Sequence, residues 1–323
     1  MSRPLTRRAA LLRTAAVATA ATLALTGCGQ AGDGSGGPDD AQPGVSPEAA
    51  ASYPVTVGDL TLEVRPERIV ALSPTATEML FAIGAGDQVA AVDDNSNHPA
   101  EAPTTELSGF TPNVEAIAGY EPDLVVLSGD TNEVVAGLTR LSIPVYLAGA
   151  AVTLDDTYRQ ITELGALTGH PEAAADLVDT MRSDIDKLVA DAAQPAEPLS
   201  YYYELDPTLY TVTSETFVGS LFTMVGLTNI ADPADPSGEA GGYPQLSAEA
   251  LIDADPDLIF LADTRCCQQN AQTVAQRAGW STITAVQTGQ VVELDDDIAS
   301  RWGPRVVDLV RAIVDAVDAA AAS

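Results

Sequence analysis

Glu115-Ala-Ile-Ala-Gly-Tyr-Glu-Pro122-Asp123-Leu124, followed by Val-Val-Leu, returns 134 residues later as Glu249-Ala-Leu-Ile-Asp-Ala-Asp-Pro256-Asp257-Leu258, followed by Ile-Phe-Leu. Each copy reads as a short helix, a Pro-Asp turn and a buried strand. A spacing this long does not suit a solenoid unit; it suits two similar lobes. Pro-Asp turns between helix and strand also arise by chance, but here a glutamate recurs in step on what should be an exposed helix start.

Outward from these copies the chain keeps an αβ rhythm. Residues 55–64 form a hairpin turning at Gly58-Asp59, and the run from Arg68 to Ser73 is a short apolar strand that stops at Pro74. Further apolar strands are expected at 89–92, 124–128 and 144–148, with helical segments between them, which is the pattern of a mostly parallel sheet. Beyond Pro171 the residues Leu177, Val178, Met181, Ile185, Leu188 and Val189 share one helical face as far as Ala193, a rod of roughly 35 Å. Pro195 and Pro198 end it. A second series follows, with strands at 199–205, 209–212, 258–262 and 291–294 and a closing helix from Pro304 to about Ala319. The expected fold is α/β: a lobe over 54–170, a linking helix over 171–194 and a second lobe over 195–323, each lobe built on a mostly parallel sheet.

The composition narrows the function. The 323 residues are 46% hydrophobic, the ordinary share for a globular fold. Lys and Arg number 15 against 46 Asp and Glu, a net charge of −31, so nucleic acid is not an expected partner. The same charge repels anionic lipid surfaces and favours solubility.

The first residues look like an address. Met1 to Gln30 has a basic start (Arg3, Arg7, Arg8, Arg13), an apolar run from Ala15 to Leu25 and then small residues, the layout of a secretory signal. That run is too short to span a bilayer comfortably. Leu25-Thr26-Gly27-Cys28 resembles a bacterial lipobox, which implies a signal peptide over 1–27 and acylation of Cys28. Arg7-Arg8 also resembles a twin-arginine signal, and the two export routes stay open. From 28 to 53 the chain is rich in Gly, Asp, Pro, Ser and Ala and reads as a flexible tether. Gly32, Gly34 and Gly37 match the spacing of dinucleotide-binding glycines, but no strand precedes them and no helix follows. A phosphate-binding GxxxxGK loop does not occur.

Residues 68 to 89, Arg-Ile-Val-Ala-Leu-Ser-Pro-Thr-Ala-Thr-Glu-Met-Leu-Phe-Ala-Ile-Gly-Ala-Gly-Asp-Gln-Val, with Asn113-Val114-Glu115 and the Pro-Asp-Leu strand, resemble the substrate-binding proteins of iron-siderophore and cobalamin ABC importers. The resemblance covers residues 54 to about 318. It implies the class III periplasmic-binding-protein fold, two lobes joined by a rigid helix, and a protein anchored by lipid to the outer face of the cytoplasmic membrane. It also implies a role for the twin glutamates: Glu115 and Glu249 stand where the family pairs each lobe with arginines of the permease. The competing reading is two solvated carboxylates favoured by helix dipoles. Implied partners are an ABC permease dimer with its ATPase subunits and a small-molecule chelate, the protein itself being a monomer that touches the membrane only through its anchor.

Ligand residues are expected in the loops at the carboxyl ends of the strands. Candidates are Ser73, Thr75, Asn95 and Phe110 in the first lobe and Tyr243, Arg265, Arg301 and Trp302 in the second. Arg301 suits an anionic ferric siderophore, because its fork binds carboxylate or hydroxamate oxygens. Trp302 offers either a flat wall for the ligand or a cover for the final helix. Aromatic residues make up 5% of the chain, which favours an iron chelate over a large corrin, with cobalamin, another corrinoid or haem as the alternative ligand.

Cys266 and Cys267 have only each other to pair with outside the cytoplasm, so a vicinal disulfide is one expectation, free thiols another. No resident metal or cofactor is expected, since His98 and His170 each precede a proline and read as turn residues. Catalytic residues are not expected either: acid runs such as Asp295-Asp296-Asp297 are ordinary in so acidic a chain, and no Ser-His-Asp set suggests itself. The rival classes are an enzyme on the same fold and an adhesion or signalling lipoprotein.

Overall fold

The computed structural model describes residues 52–322, and the signal segment, Cys28 and all but the end of the tether lie outside them. A hairpin of β1 (Val55–Val57) and β2 (Leu60–Leu62) comes first, turning at Gly58, whose φ of +54° suits a residue without a Cβ. The first lobe then runs β3 (Ile69–Leu72), α1 (Pro74–Ala82), β4 (Val89–Val92), α2 (Val114–Ala118), β5 (Leu124–Leu127), α3 (Val134–Arg140), β6 (Val145–Leu147) and α4 (Leu154–Thr168). The long helix α5 (Pro171–Asp191) follows, about 32 Å from end to end. The second lobe contains β7 (Ser200–Glu204), α6 (Phe217–Met224), β8 (Thr228–Asn229), α7 (Ala248–Ala254), β9 (Leu258–Leu261), α8 (Ala271–Ala275), α9 (Thr284–Thr288), β10 (Val291–Glu293), α10 (Asp296–Ala299) and α11 (Val306–Ala321).

Both lobes have one topology. The first sheet is ordered β4-β3-β5-β6 and the second β8-β7-β9-β10, all pairs parallel, so in each lobe the second strand lies outside the first and the third and fourth follow on the other side. The repeated sequence explains itself in this setting. Asn113 and Ser247 cap α2 and α7, accepting from Ala116 N at 2.9 Å and Ala250 N at 3.1 Å. The residue before each proline, Glu121 or Asp255, is left-handed (φ +51° and +45°). Each following aspartate then holds the start of the neighbouring strand: Asp123 accepts from Glu67 N and Arg68 N, and Asp257 from Ser200 N and Ser200 Oγ. The Pro-Asp pair therefore sets strand register identically in both lobes.

Central strands are buried on both faces, which is why they read as unbroken apolar runs. Val70, Leu72, Val125 and Leu127 pack outward against α2 and α3, and Tyr202, Ile259 and Leu261 outward against Trp280 and its neighbours. The inward residues of both sheets, Ile69, Ala71, Leu124 and Val126 with Tyr201, Tyr203, Leu258 and Phe260, join a single core with α1, α4, α5, α6 and α11. The lobes are thus joined by more than one rod. The linking helix ends at Asp191 rather than 194, and α4 and α11 pack along it.

One expected strand is corrected. Residues 209–212 are not a strand: they run beside 242–246 with one isolated bridge, Tyr210 to Gln245. The neighbouring segment contains Pro244, which has no N–H to donate, and two glycines at positive φ, so a ladder does not propagate. The sheet's second strand is instead β8, only two residues long.

Candidate functional site

The carboxyl ends of the two sheets meet across a polar clasp. Arg301, just beyond α10, is 8% exposed and its guanidinium is saturated. Nη1 donates to Glu78 Oε1 at 2.8 Å and Asn97 Oδ1 at 3.0 Å; Nη2 donates to Asp297 Oδ1 at 2.7 Å and the Asn95 carbonyl at 3.1 Å. Arg305 adds two bonds to Glu78, at 2.9 and 2.6 Å, and Asn97 donates to Asp297 at 2.9 Å. Glu78 belongs to α1 and Asn95 and Asn97 to the loop after β4, whereas Arg301, Arg305 and Asp297 belong to the second lobe. Three of the four hydrogen bonds from this arginine therefore tie the second lobe to α1 and the loop after β4, and the fourth, to Asp297, anchors it in its own lobe. Charge-assisted bonds in so buried a place fix geometry strongly.

The fork of Arg301, expected to hold the ligand's oxygens, is engaged by protein groups in this structure. Asn95 takes part through its backbone, its side chain bonding only Asp94. Arg265 is exposed but likewise engaged, with Asp297 at 2.7 Å and Asp295 at 3.3 Å. Trp302 turns away from the rim to α4: its Nε1 donates to Gln160 Oε1 at 3.0 Å, its carbonyl accepts from Thr157, and its ring packs on the shared core. Trp302 is thereby joined to α4 and the shared core. Ser73 caps α1 from a buried position, accepting from Ala76 N at 3.3 Å, and Thr75 is buried beside it, so neither presents an open surface.

Phe110 and Tyr243 do. Phe110 is 78% exposed and Tyr243 50%. Gly109 lets Phe110 sit at the carboxyl edge of the first sheet: a Cβ there would fall 2.5 Å from Asp93 Oδ2 and 3.1 Å from the Leu72 carbonyl at the end of β3. Gly242 does the same for Tyr243, with φ +86° and its N–H bound to Asp235 at 2.9 Å. Tyr243 lies within electrostatic reach of Tyr203, whose hydroxyl donates to the Ala299 carbonyl two residues before Arg301. Tyr210, 42% exposed, bridges Gln245 close by. Exposed aromatic side chains thus stand on both lobes. A cavity of about 320 Å³ between Phe81, His98, Pro99 and Arg305 adjoins the clasp, at the low end of the range for small-ligand pockets.

Cys266 and Cys267 lie in the loop after β9, the first exposed and the second half-buried, and their sulfurs are free thiols in this structure. Burial and the hydrogen bond to its neighbour push the Cys266 thiol up to about 12. The loop is held by Asp296, which accepts from Arg265 N, Cys266 N at 2.8 Å and Thr264 Oγ1 at 2.8 Å.

Glu115 and Glu249 occupy the second position of α2 and α7, both exposed. Helices that return along a parallel sheet begin near its carboxyl edge, so the two carboxylates mark corresponding places on the rim side of each lobe. Among the described residues neither forms an ion pair.

Residues 69–298 match the Periplasmic binding protein family. The chain belongs to that family. A cobalamin-binding protein of Halobacterium salinarum is 32% identical over 276 residues, 81% of this chain and 73% of the relative. The ABC transporter substrate-binding lipoprotein YvrC of Bacillus subtilis is 29% identical over 311 residues, 92% of this chain and 94% of its own length. Among solved structures, the periplasmic vitamin B12-binding protein BtuF of Vibrio cholerae superposes with a TM-score of 0.67 at 28% identity, covering 79% of this chain and 98% of BtuF. Haem-binding RhuT of Roseiflexus gives a TM-score of 0.70 at 22% identity over 79% of this chain and 99% of RhuT, a likeness of fold alone. Both lobes and the helical layer between them therefore follow the two-lobed architecture expected from the sequence.

Glu78, Asn97, Asp297 and Arg305 were not among the candidates from sequence. One signal was there: Glu78 is the single charge in the helix Pro-Thr-Ala-Thr-Glu-Met-Leu-Phe-Ala, and an acid among residues that must be buried needs a cation.

Proposed function

We propose that this chain is the extracytoplasmic solute-binding component of an ABC importer and that its cleft takes a corrinoid of the cobalamin type. The observation that carries the ligand reading is the division of labour at the rim: arginines 265, 301 and 305 are paired with protein carboxylates, while Phe110 and Tyr243 stay exposed. An anionic ferric chelate or haem needs an unpaired cation, and in a chain of net charge −31 the field opposes it. A macrocycle with a broad apolar face and no net negative charge meets aromatic side chains on both lobes. The relatives named as cobalamin- or vitamin B12-binding support the same choice. The iron-siderophore reading rested on the fork of Arg301 and on the 5% aromatic share of the chain, and it and haem are the alternatives the test must separate.

Delivery follows from the outer surface. Glu115 and Glu249, one per lobe and free of internal partners among the described residues, offer two carboxylates for arginines of a dimeric permease, fixing orientation by charge-assisted contacts. Acylation of Cys28 would hold the protein at the membrane as a monomer, and the ligand is handed over unchanged. Among the described residues no helix is long and apolar enough to cross a membrane. The test is the rim itself: Phe110→Ala and Tyr243→Ala should each weaken cyanocobalamin binding by about tenfold, the loss expected of an aromatic anchor. Unchanged affinity in both variants places the ligand elsewhere.

A further inference from the structure

Three charged side chains share a buried space below the loop that carries Cys266 and Cys267. Glu204 ends β7 and Asp263 lies two residues past β9, and both are fully buried. Arg277, two residues past α8, grips Glu204 with both arms, at 2.6 and 2.5 Å, and reaches Gln269 Oε1 at 2.7 Å. Among the described residues nothing donates to either oxygen of Asp263, and Glu204 lies within its hydrogen-bonding reach. Two acids against one guanidinium leave one charge uncompensated, and two buried carboxyl groups in mutual reach do not both ionise. Glu204 holds the arginine, so the proton belongs to Asp263.

We propose that Asp263 is a positioning residue whose proton, directed at Glu204, holds the loop over 264–270 in place, so that the grip on ligand loosens when the proton leaves. The ligand half of this statement rests on the reading of this rim as the cleft. The connections are short. The Asp263 carbonyl accepts from Cys267 N at 3.2 Å and Gln269 N at 3.3 Å, and Gln269 Nε2 donates to the Cys267 carbonyl at 3.0 Å. Ionised Asp263 competes for Arg277, drawing it from Gln269 and freeing the turn that holds Cys267.

The groups facing Asp263 come from every neighbouring element: Glu204, Tyr202 and Tyr203 from β7, Arg277 from beyond α8, and Cys266 from the loop itself. The Tyr202 hydroxyl is buried and faces Glu204 first, then Asp263. Burial, then the charge of Glu204, pushes Asp263 up to about 7, against the opposing pull of Arg277. Asp296 acts on the loop from the other side, through backbone N–H groups.

The reporter is built in, because the Arg277 guanidinium lies 4.5 Å from the centroid of the Trp280 ring. Emission of the ligand-free Trp302→Phe protein, followed from about pH 5.5 to about pH 8.5, should show a transition with its midpoint near 7. Asp263→Asn should abolish the transition, and Glu204→Gln should move it to lower pH, because the charge that raises Asp263 is removed while its burial stays. A flat profile overturns the proposal, as does a transition that survives in Asp263→Asn. In a second arm, cyanocobalamin should leave faster above the midpoint than below it, with the difference lost in Asp263→Asn. A fluorescence transition with a release rate independent of pH overturns the ligand half and leaves the loop latch standing; failure of cyanocobalamin to bind refutes the corrinoid reading without touching the first arm.

Discussion

Arg301 shows how a residue can be conspicuous in a sequence and misleading about its task. An arginine in a loop at the carboxyl end of a strand reads as a ligand fork, and its true partner, Glu78, lies 223 positions away in a different lobe. Nothing local announces that pairing except the lone acid in an apolar helix. The consequence is testable as stability. Arg301→Ala leaves Asn97 Oδ1 without its donor, Asp297 keeps only Arg265 and Asn97, and Glu78 keeps only Arg305, so the variant should lose about 3 kcal/mol in urea unfolding while retaining cyanocobalamin affinity. Full stability with lost affinity would return Arg301 to the ligand site. Asp263 makes a second prediction at this scale. Its carboxyl is raised from 3.8 to about 7 in the folded state, so the native protein holds a proton that the unfolded chain has released. That contribution is complete below the unfolded value and is lost as pH rises through about 7. Between about pH 5.5 and about pH 8.5 the melting temperature of the parent should therefore fall relative to that of Asp263→Asn; parallel curves would contradict the shift.

The twin helix, turn and strand units carry the most legible part of the fold. Their sequence repeat predicted two lobes, and the structure adds the reason for each residue: a cap at Asn113 or Ser247, a left-handed residue before proline, and an aspartate that holds the next strand. Long apolar strands were readable because burial on both faces leaves no alternation to misread. Shorter pieces were not. Thr228–Asn229 has no pattern to detect, and residues 209–212 have the composition of a strand but a proline-containing neighbour that cannot complete a ladder. At this scale Asp257→Ala should cost about 1 to 2 kcal/mol, since it strips a half-buried backbone donor of its acceptor, and Asp123→Ala should cost less, its donors belonging to the exposed Glu67 and Arg68. Glu115→Ala and Glu249→Ala should by contrast leave stability and ligand affinity intact and abolish uptake. Normal uptake by the double variant would contradict the docking role.

One continuous core runs through both lobes and the helices between them, and the arginine clasp closes the same joint on its polar side. A hinge needs a segment with few contacts, and this joint has a packed layer of α4, α5 and α11 instead. Small-angle scattering should accordingly find the same radius of gyration with and without ligand, whereas a marked contraction on binding would refute a preformed cleft. The composition suggested a cleft poor in aromatic residues. The few that matter are concentrated at the rim, a matter of placement that a percentage does not convey.

The central claim is that the rim takes a neutral corrinoid rather than an anionic chelate. Calorimetric titration of the purified protein with cyanocobalamin, ferric hydroxamate, ferric catecholate, ferric citrate and haem in parallel tests it most directly. The account predicts saturable binding of cyanocobalamin with Kd of about 1 µM or tighter and no saturable heat from the anionic ligands. Saturable binding of a ferric chelate or haem, with none of cyanocobalamin, would contradict it.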